Sequence, residues 1–215
     1  MPLILEESIE TATEEPPGAM KPDESGDDTK LDSWMIQYQG GDWQAFERLY
    51  RGLKEPLLRY LRWRVGDPAR AEDLLQQTFL QVHRSRQTFL PGRSARAWLY
   101  GVARNVLLMD QRTRYRKTGR ELPLDHAATE KSASPSSQIA DRQLLERALR
   151  VLTPEQAEAF LLHEVHGFTF PEIAGILGIR SGTAKLRAFR ASRAVQAELE
   201  RLGVTSELLA TKKTK

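Results

Sequence analysis

The sequence predicts an all-α protein: two small helical domains joined by a flexible linker, the second containing a helix-turn-helix. Three observations predict it. Apolar residues recur at helical spacing from Leu31 onward, without strand-like alternation. A stretch from 117 to 139, rich in Ser and Ala and holding two prolines, carries no period at all. Near the C-terminus Gly178 separates a short amphipathic segment from a longer one, the spacing of two helices joined by a tight turn. At 215 residues the chain has room for two small domains.

Residues 1–31 read as a disordered acidic extension, because their Glu, Asp, Pro, Gly and Ser cannot bury enough surface to offset chain entropy. The first 33 residues hold ten acidic side chains and two basic ones, which leaves 30 basic and 19 acidic for the remainder. The formal charge of +3 thus hides a body of +11, a surplus that suits a polyanion, nucleic acid above all. Helices are expected at about 32–39, 42–64, 68–86 and 94–116, with Asp67-Pro68 opening the third. The linker follows at 117–139, then a second domain over 140–202 and a flexible tail at 203–215. Thr153-Pro154-Glu155-Gln156 and Thr169-Phe170-Pro171-Glu172 are both capping boxes that begin helices. The absence of cysteine excludes disulfides and thiolate zinc sites. With neither a secretory leader nor an apolar run long enough to span a bilayer, a cytoplasmic protein without membrane insertion is expected.

In the segment 169–195, Ala184, Ala188, Ala191 and Val195 share one helical face and allow close packing on the preceding helix. The opposite face is basic, with five Arg or Lys and no acid from Arg180 to Arg193. Such a helix offers cations to phosphates and its N-terminal side chains to base edges. The candidate DNA-reading set is Arg180, Ser181, Thr183, Lys185, Leu186, Arg187, Phe189 and Arg190. Upstream, Ala71, Leu74, Leu75, Thr78 and Val82 fall at core spacing, leaving Asp73, Gln76, Gln77 and Leu80 as an amide-rich outer face. From Arg84 to Arg120 ten basic residues face only Asp110, interleaved with Phe89, Trp98, Tyr100 and Tyr115; melted DNA stacks on rings and pairs with cations in this way.

The order DWQAFERLY (42–50), AEDLLQQTFLQVHR (71–84), AWLYGVARNVLLMDQRTR (97–114) and FTFPEIAGILGIRSGTAKLRAFRASRAV (168–195) resembles the bacterial sigma factors of the extracytoplasmic-function class. The resemblance implies that 32–116 is sigma region 2 and 140–202 is sigma region 4. It further implies a factor that binds core RNA polymerase, directs it to promoter DNA and helps open the duplex, under control of an anti-sigma factor. Asp73, Gln76, Gln77 and Leu80 would then meet the polymerase. Phe89, Arg93, Arg96, Trp98, Arg104, Asn105 and Arg112 would hold the melted −10 element, and the helix-turn-helix would read the −35 element. At Leu186 the chain departs from the family, which commonly carries a serine there.

A stand-alone helix-turn-helix repressor or activator is the alternative; it would bind an operator without polymerase. An enzyme is not expected: no phosphate-cradling glycine loop or nucleophile motif stands in the chain, and no cofactor or metal is called for. His163 and His166 share a helix face without further ligands, and Glu155 and Glu158 read as a solvated face.

Overall fold

A computed structural model describes residues 25–118 and 147–203. The first group of helices comprises α1 (Ser25–Gln39), α2 (Trp43–Val65), α3 (Pro68–Ser85), a 3₁₀ turn (Arg86–Thr88) and α4 (Ala95–Thr118). The second begins with a helical turn at 147–149 and continues with α5 (Pro154–Glu164), α6 (Phe170–Leu177) and α7 (Ser181–Arg201). Lys117 and Thr118, assigned to the linker, continue α4, whose helical hydrogen bonding runs past the last apolar positions; the rest of the expected linker, residues 204–215 of the expected tail and residues 1–24 of the expected extension lie outside the described residues.

Local chemistry sets the helix boundaries. Asp42 accepts from the Gln44 N–H at 2.8 Å to start α2, which ends at Gly66 in the left-handed region at φ 69°. Asp67 accepts from Ala69 at 3.1 Å, and Pro68 fills the first position of α3. Thr153 and Gln156 form the reciprocal capping box of α5, at 3.0 and 3.3 Å. At α6 the Glu172 carboxylate accepts from both the backbone and the hydroxyl of Thr169, at 2.8 and 2.7 Å.

One expectation is corrected at the N-terminus. Helix α1 begins at Ser25, so residues 25–31, assigned to the disordered extension, are helical. The reason is tertiary. Asp32 Oδ1 accepts from the Ala95 N–H at 2.6 Å, satisfying a free donor at the start of α4, and Asp28 reaches Arg96 at 3.0 Å. Leu31, Met35 and Tyr38 then lock α1 into the core with Leu49, Leu53, Leu57, Leu61, Leu74, Leu99 and Leu107.

The two groups of helices pack together. The core of the first runs without a break into Ala159, Leu162, Phe168, Ile173, Ile176 and Leu177 of the second. A smaller cluster of Ala148, Leu149, Leu152, Ala157, Ala191 and Val195 closes around α7, with Trp63 of α2 against it. Among the described residues no helix is long and apolar enough to cross a membrane.

Candidate nucleic-acid and polymerase interfaces

The α3 helix shows how spacing becomes a surface. Ala71, Leu74, Leu75, Thr78, Phe79 and Val82 are buried, and the Thr78 hydroxyl donates to the Leu74 carbonyl at 2.7 Å, so the one polar group on that face is satisfied. Asp73, Gln76, Gln77 and Leu80 are all exposed, as their spacing predicts. Leu80 is 58% exposed, an apolar side chain held in water beside unpaired amides, which suits a protein partner better than solvent. One turn further, His83 stacks on the exposed Trp43 at 5.4 Å and bonds the Tyr38 hydroxyl through Nδ1 at 2.6 Å. Trp43 therefore widens this face; sequence reading passed over it because it opens a helix outside the amide cluster.

The segment from Arg86 to the start of α4 forms a pinned loop. The Gln39 amide donates to the carbonyls of Arg86 and Phe89 at 2.7 and 2.8 Å, and Gln87 donates back to the Gln39 carbonyl. Gly92 takes φ 82°, a conformation that a side chain would resist. Leu90 and Arg93 are exposed at the tip.

The expected −10 residues divide into three kinds. Arg93, Asn105 and Arg112 are exposed, and Trp98 is half-buried on the wall of a groove. Phe89 is not: it is buried, its ring 5.7 Å from that of Trp98, and it acts as the anchor under the loop rather than a stacking platform. Arg96 and Arg104 are half-buried and engaged within the protein. The Arg96 guanidinium bonds Asp28 and lies 4.3 Å from the Phe168 ring centre, while Arg104 pairs with Glu158 at 3.3 Å.

The helix-turn-helix is built as its spacing predicts. Ile173, Ile176 and Leu177 of α6 face Ala184, Ala188, Ala191 and Val195 of α7 from the buried side, and Gly178 makes the turn at φ 66°, ψ 37°. Arg180, Ser181, Lys185, Leu186, Phe189 and Arg190 are exposed, and Thr183 is half-buried beside them. Leu186 and Phe189, 47% and 48% exposed, set apolar groups among cations on this face, the composition that a reader of thymine methyls and phosphates would need. Arg187 lies apart from this set. It is half-buried on the flank of α7, where its charge helps lower the Glu155 carboxyl after that group's own backbone hydrogen bond and Thr153.

The two candidate DNA-binding regions meet. Arg93, Trp98 and Asn105 line a groove of about 570 Å³ whose other wall is Pro171, Glu172 and Gly175 of α6. Beside it Tyr100 is buried against Phe168 and His166, with its hydroxyl 3.1 Å from His166 Nδ1. Burial, then the Arg96 and Arg59 guanidiniums, push the His166 imidazole down to about 4. His163 bonds the Phe168 carbonyl at 3.0 Å. Both histidines serve the packing of the turn. Glu158 departs from the expected solvated face: it is 4% exposed and enclosed by α2 and α4.

Known proteins show the same organisation. Residues 49–120 match the model of sigma-70 region 2, and residues 142–195 match that of sigma-70 region 4. The RNA polymerase sigma factor CarQ of Myxococcus xanthus is 37% identical over 73% of this chain and 90% of its own length. The ECF RNA polymerase sigma factor SigL of Mycobacterium tuberculosis is 35% identical over 69% of this chain and 85% of its own. Among solved structures, the sigma factor RpoE of Bartonella quintana, crystallised with the anti-sigma factor NepR, is 28% identical. It aligns with a TM-score of 0.58 over 72% of this chain and 96% of that one. The helix order, the exposed amide face of α3, the basic helix-turn-helix and these matches lead to one assignment: the chain belongs to the extracytoplasmic-function class of the sigma-70 family.

Proposed function

We propose that this sigma factor attaches to core RNA polymerase through Asp73, Gln76, Gln77 and Leu80. It then holds promoter DNA at two places: the −10 element through Arg93, Trp98, Asn105 and Arg112, and the −35 element through the exposed face of α7. Residues 25–118 and 140–202 are the two working domains, and 119–139 is the tether between them. The observation that carries the reading is that an exposed amide-and-leucine face and an exposed basic reading helix occur in one chain. A repressor would need only the second. The protein itself carries out no covalent chemistry and works in the cytoplasm, and an anti-sigma factor, of the kind seen bound to the Bartonella relative, holds it in check.

Run-off transcription with purified core polymerase and a genomic promoter pool tests this. Discrete transcripts that require both components are expected. Specific DNA binding that is independent of polymerase, with no transcripts, overturns the reading in favour of a stand-alone regulator.

A further inference from the structure

Three groups on the first domain converge on one carboxylate of the second. The Tyr60 hydroxyl donates to Glu158 Oε1 at 2.8 Å, Arg64 Nη1 lies 3.6 Å from Oε2, and Arg104 Nε lies 3.3 Å from Oε1. Arg64 and Glu158 are each 4% exposed. Two guanidiniums share this one buried carboxylate, with the more exposed Glu155 acting on Arg64 from the edge, at a depth where an uncompensated charge is costly. The donors are not all used either. Arg64 Nε and Arg104 Nε are buried yet make no hydrogen bond among the described residues, the latter because its N–H is poorly aligned on Glu158. The carboxylate thus leaves donors of both arginines unused, and a tetrahedral anion has more acceptor oxygens to offer such donors.

We propose that Tyr60, Arg64 and Arg104 form a phosphate site on the first domain, that Glu158 occupies it in the packed arrangement, and that a DNA phosphodiester takes Glu158's place when the domains part. The proposal rests on the assignment of a DNA-binding function to the first domain. It gives Arg104 its DNA contact only in the parted state, and adds Tyr60 and Arg64, which sequence reading did not select. Packing and DNA binding are then alternatives. In the packed state the groove holding Trp98 and Asn105 also has α6 as its far wall, so the same movement frees both. If the parted state is a minor population, the apparent affinity of the free protein for DNA is reduced by that fraction.

The chain contains no cysteine, so a dye pair is placed by Glu55→Cys on α2 and Ala197→Cys on α7, both exposed positions. Energy transfer in the full-length protein reports domain separation. Glu158→Gln keeps the shape of the side chain and removes its charge, leaving the two guanidiniums without the buried carboxylate they share. Transfer is expected to fall, and binding to a short single-stranded oligonucleotide to tighten by roughly tenfold if about a tenth of the native chain is open. Unchanged transfer overturns the role of Glu158.

The phosphate site is tested in that Glu158→Gln background by adding Arg64→Gln or, as a milder change, Tyr60→Phe, with thermal melting to verify folding. Weaker oligonucleotide binding is expected from both, and loss of one phosphate contact through Arg64→Gln reduces the salt slope by about 0.7. Unaltered affinity and slope overturn the site. Inorganic phosphate at matched ionic strength separates the sources: a fall in transfer in the native chain with phosphate alone overturns the assignment to DNA in favour of a small anion. Run-off transcription by the native chain reports independently on sigma activity, so a failure there is distinguishable from a failure here.

Discussion

Phe89 and Leu186 are both apolar residues within basic stretches, and their surroundings give them opposite roles. Phe89 is 1% exposed beneath the Trp98 ring. Phe89→Ala is therefore expected to cost about 3–5 kcal/mol of stability, read by urea unfolding, because the cavity it leaves lies under a loop already tied at Gln39. Leu186 stands on the open face of α7, so Leu186→Ser should leave the unfolding midpoint in place and alter preference at one base of the −35 element. Selection from a promoter library reads that change, and an unaltered preference returns Leu186 to a surface residue without a reading role. Both residues were legible as apolar; only burial distinguishes an anchor from a reader.

The α3 helix has a buried face and an exposed face, and the buried one sets the geometry of the other. Replacing Gln76, Gln77 and Leu80 together with alanine removes only exposed groups, so stability should change by less than about 0.5 kcal/mol per site. Polymerase affinity, measured by binding to immobilised core enzyme, should fall at least about fivefold, because one well-placed interface side chain alone is worth more than about 1 kcal/mol. The α6–α7 pair shows the same division, with small alanines inside and cations outside. These faces were readable because helical period is a local property and because capping residues announce where each helix begins. Helix α1 was read short for the complementary reason: its first turns are acidic and polar, and what holds them is Arg96 and the start of α4, far along the chain.

For the molecule as a whole, the contact between the two groups of helices is the quantity that conditions change. His166 sits in it, bonded to Tyr100 through Nδ1 and facing Arg59 of α2 and Arg96 of α4, with Asp28 of α1 and the Tyr60 ring nearby. Its imidazole titrates at about 4 in the packed state against 6.5 when free. A parted or unfolded chain thus takes up the proton first, and the packed state loses stability as pH falls from about 6.5 toward 4, while above 6.5 the contribution is fully present. Melting temperature and interdomain energy transfer should both drop between pH 7.5 and 5. His166→Gln, which can still accept from the Tyr100 hydroxyl, should flatten that dependence; an equally steep profile would assign the effect to another group.

By itself the sequence determined the all-α class, the helix starts at Asp42, Asp67, Thr153 and Thr169, the alanine stripe of α7 and the outward amides of α3. Each depends on neighbours within about one or two helical turns, which is the range over which side-chain period and capping act. The tertiary structure alone decided that Phe89 is core, that Arg96 is held by Asp28 and Phe168, and that Glu158, 98 positions from Tyr60, is buried between two arginines. A charged residue looks the same in a sequence whether it faces water or a counter-ion. Its partner, and the low dielectric that makes the pairing matter, exist only once distant helices are brought together.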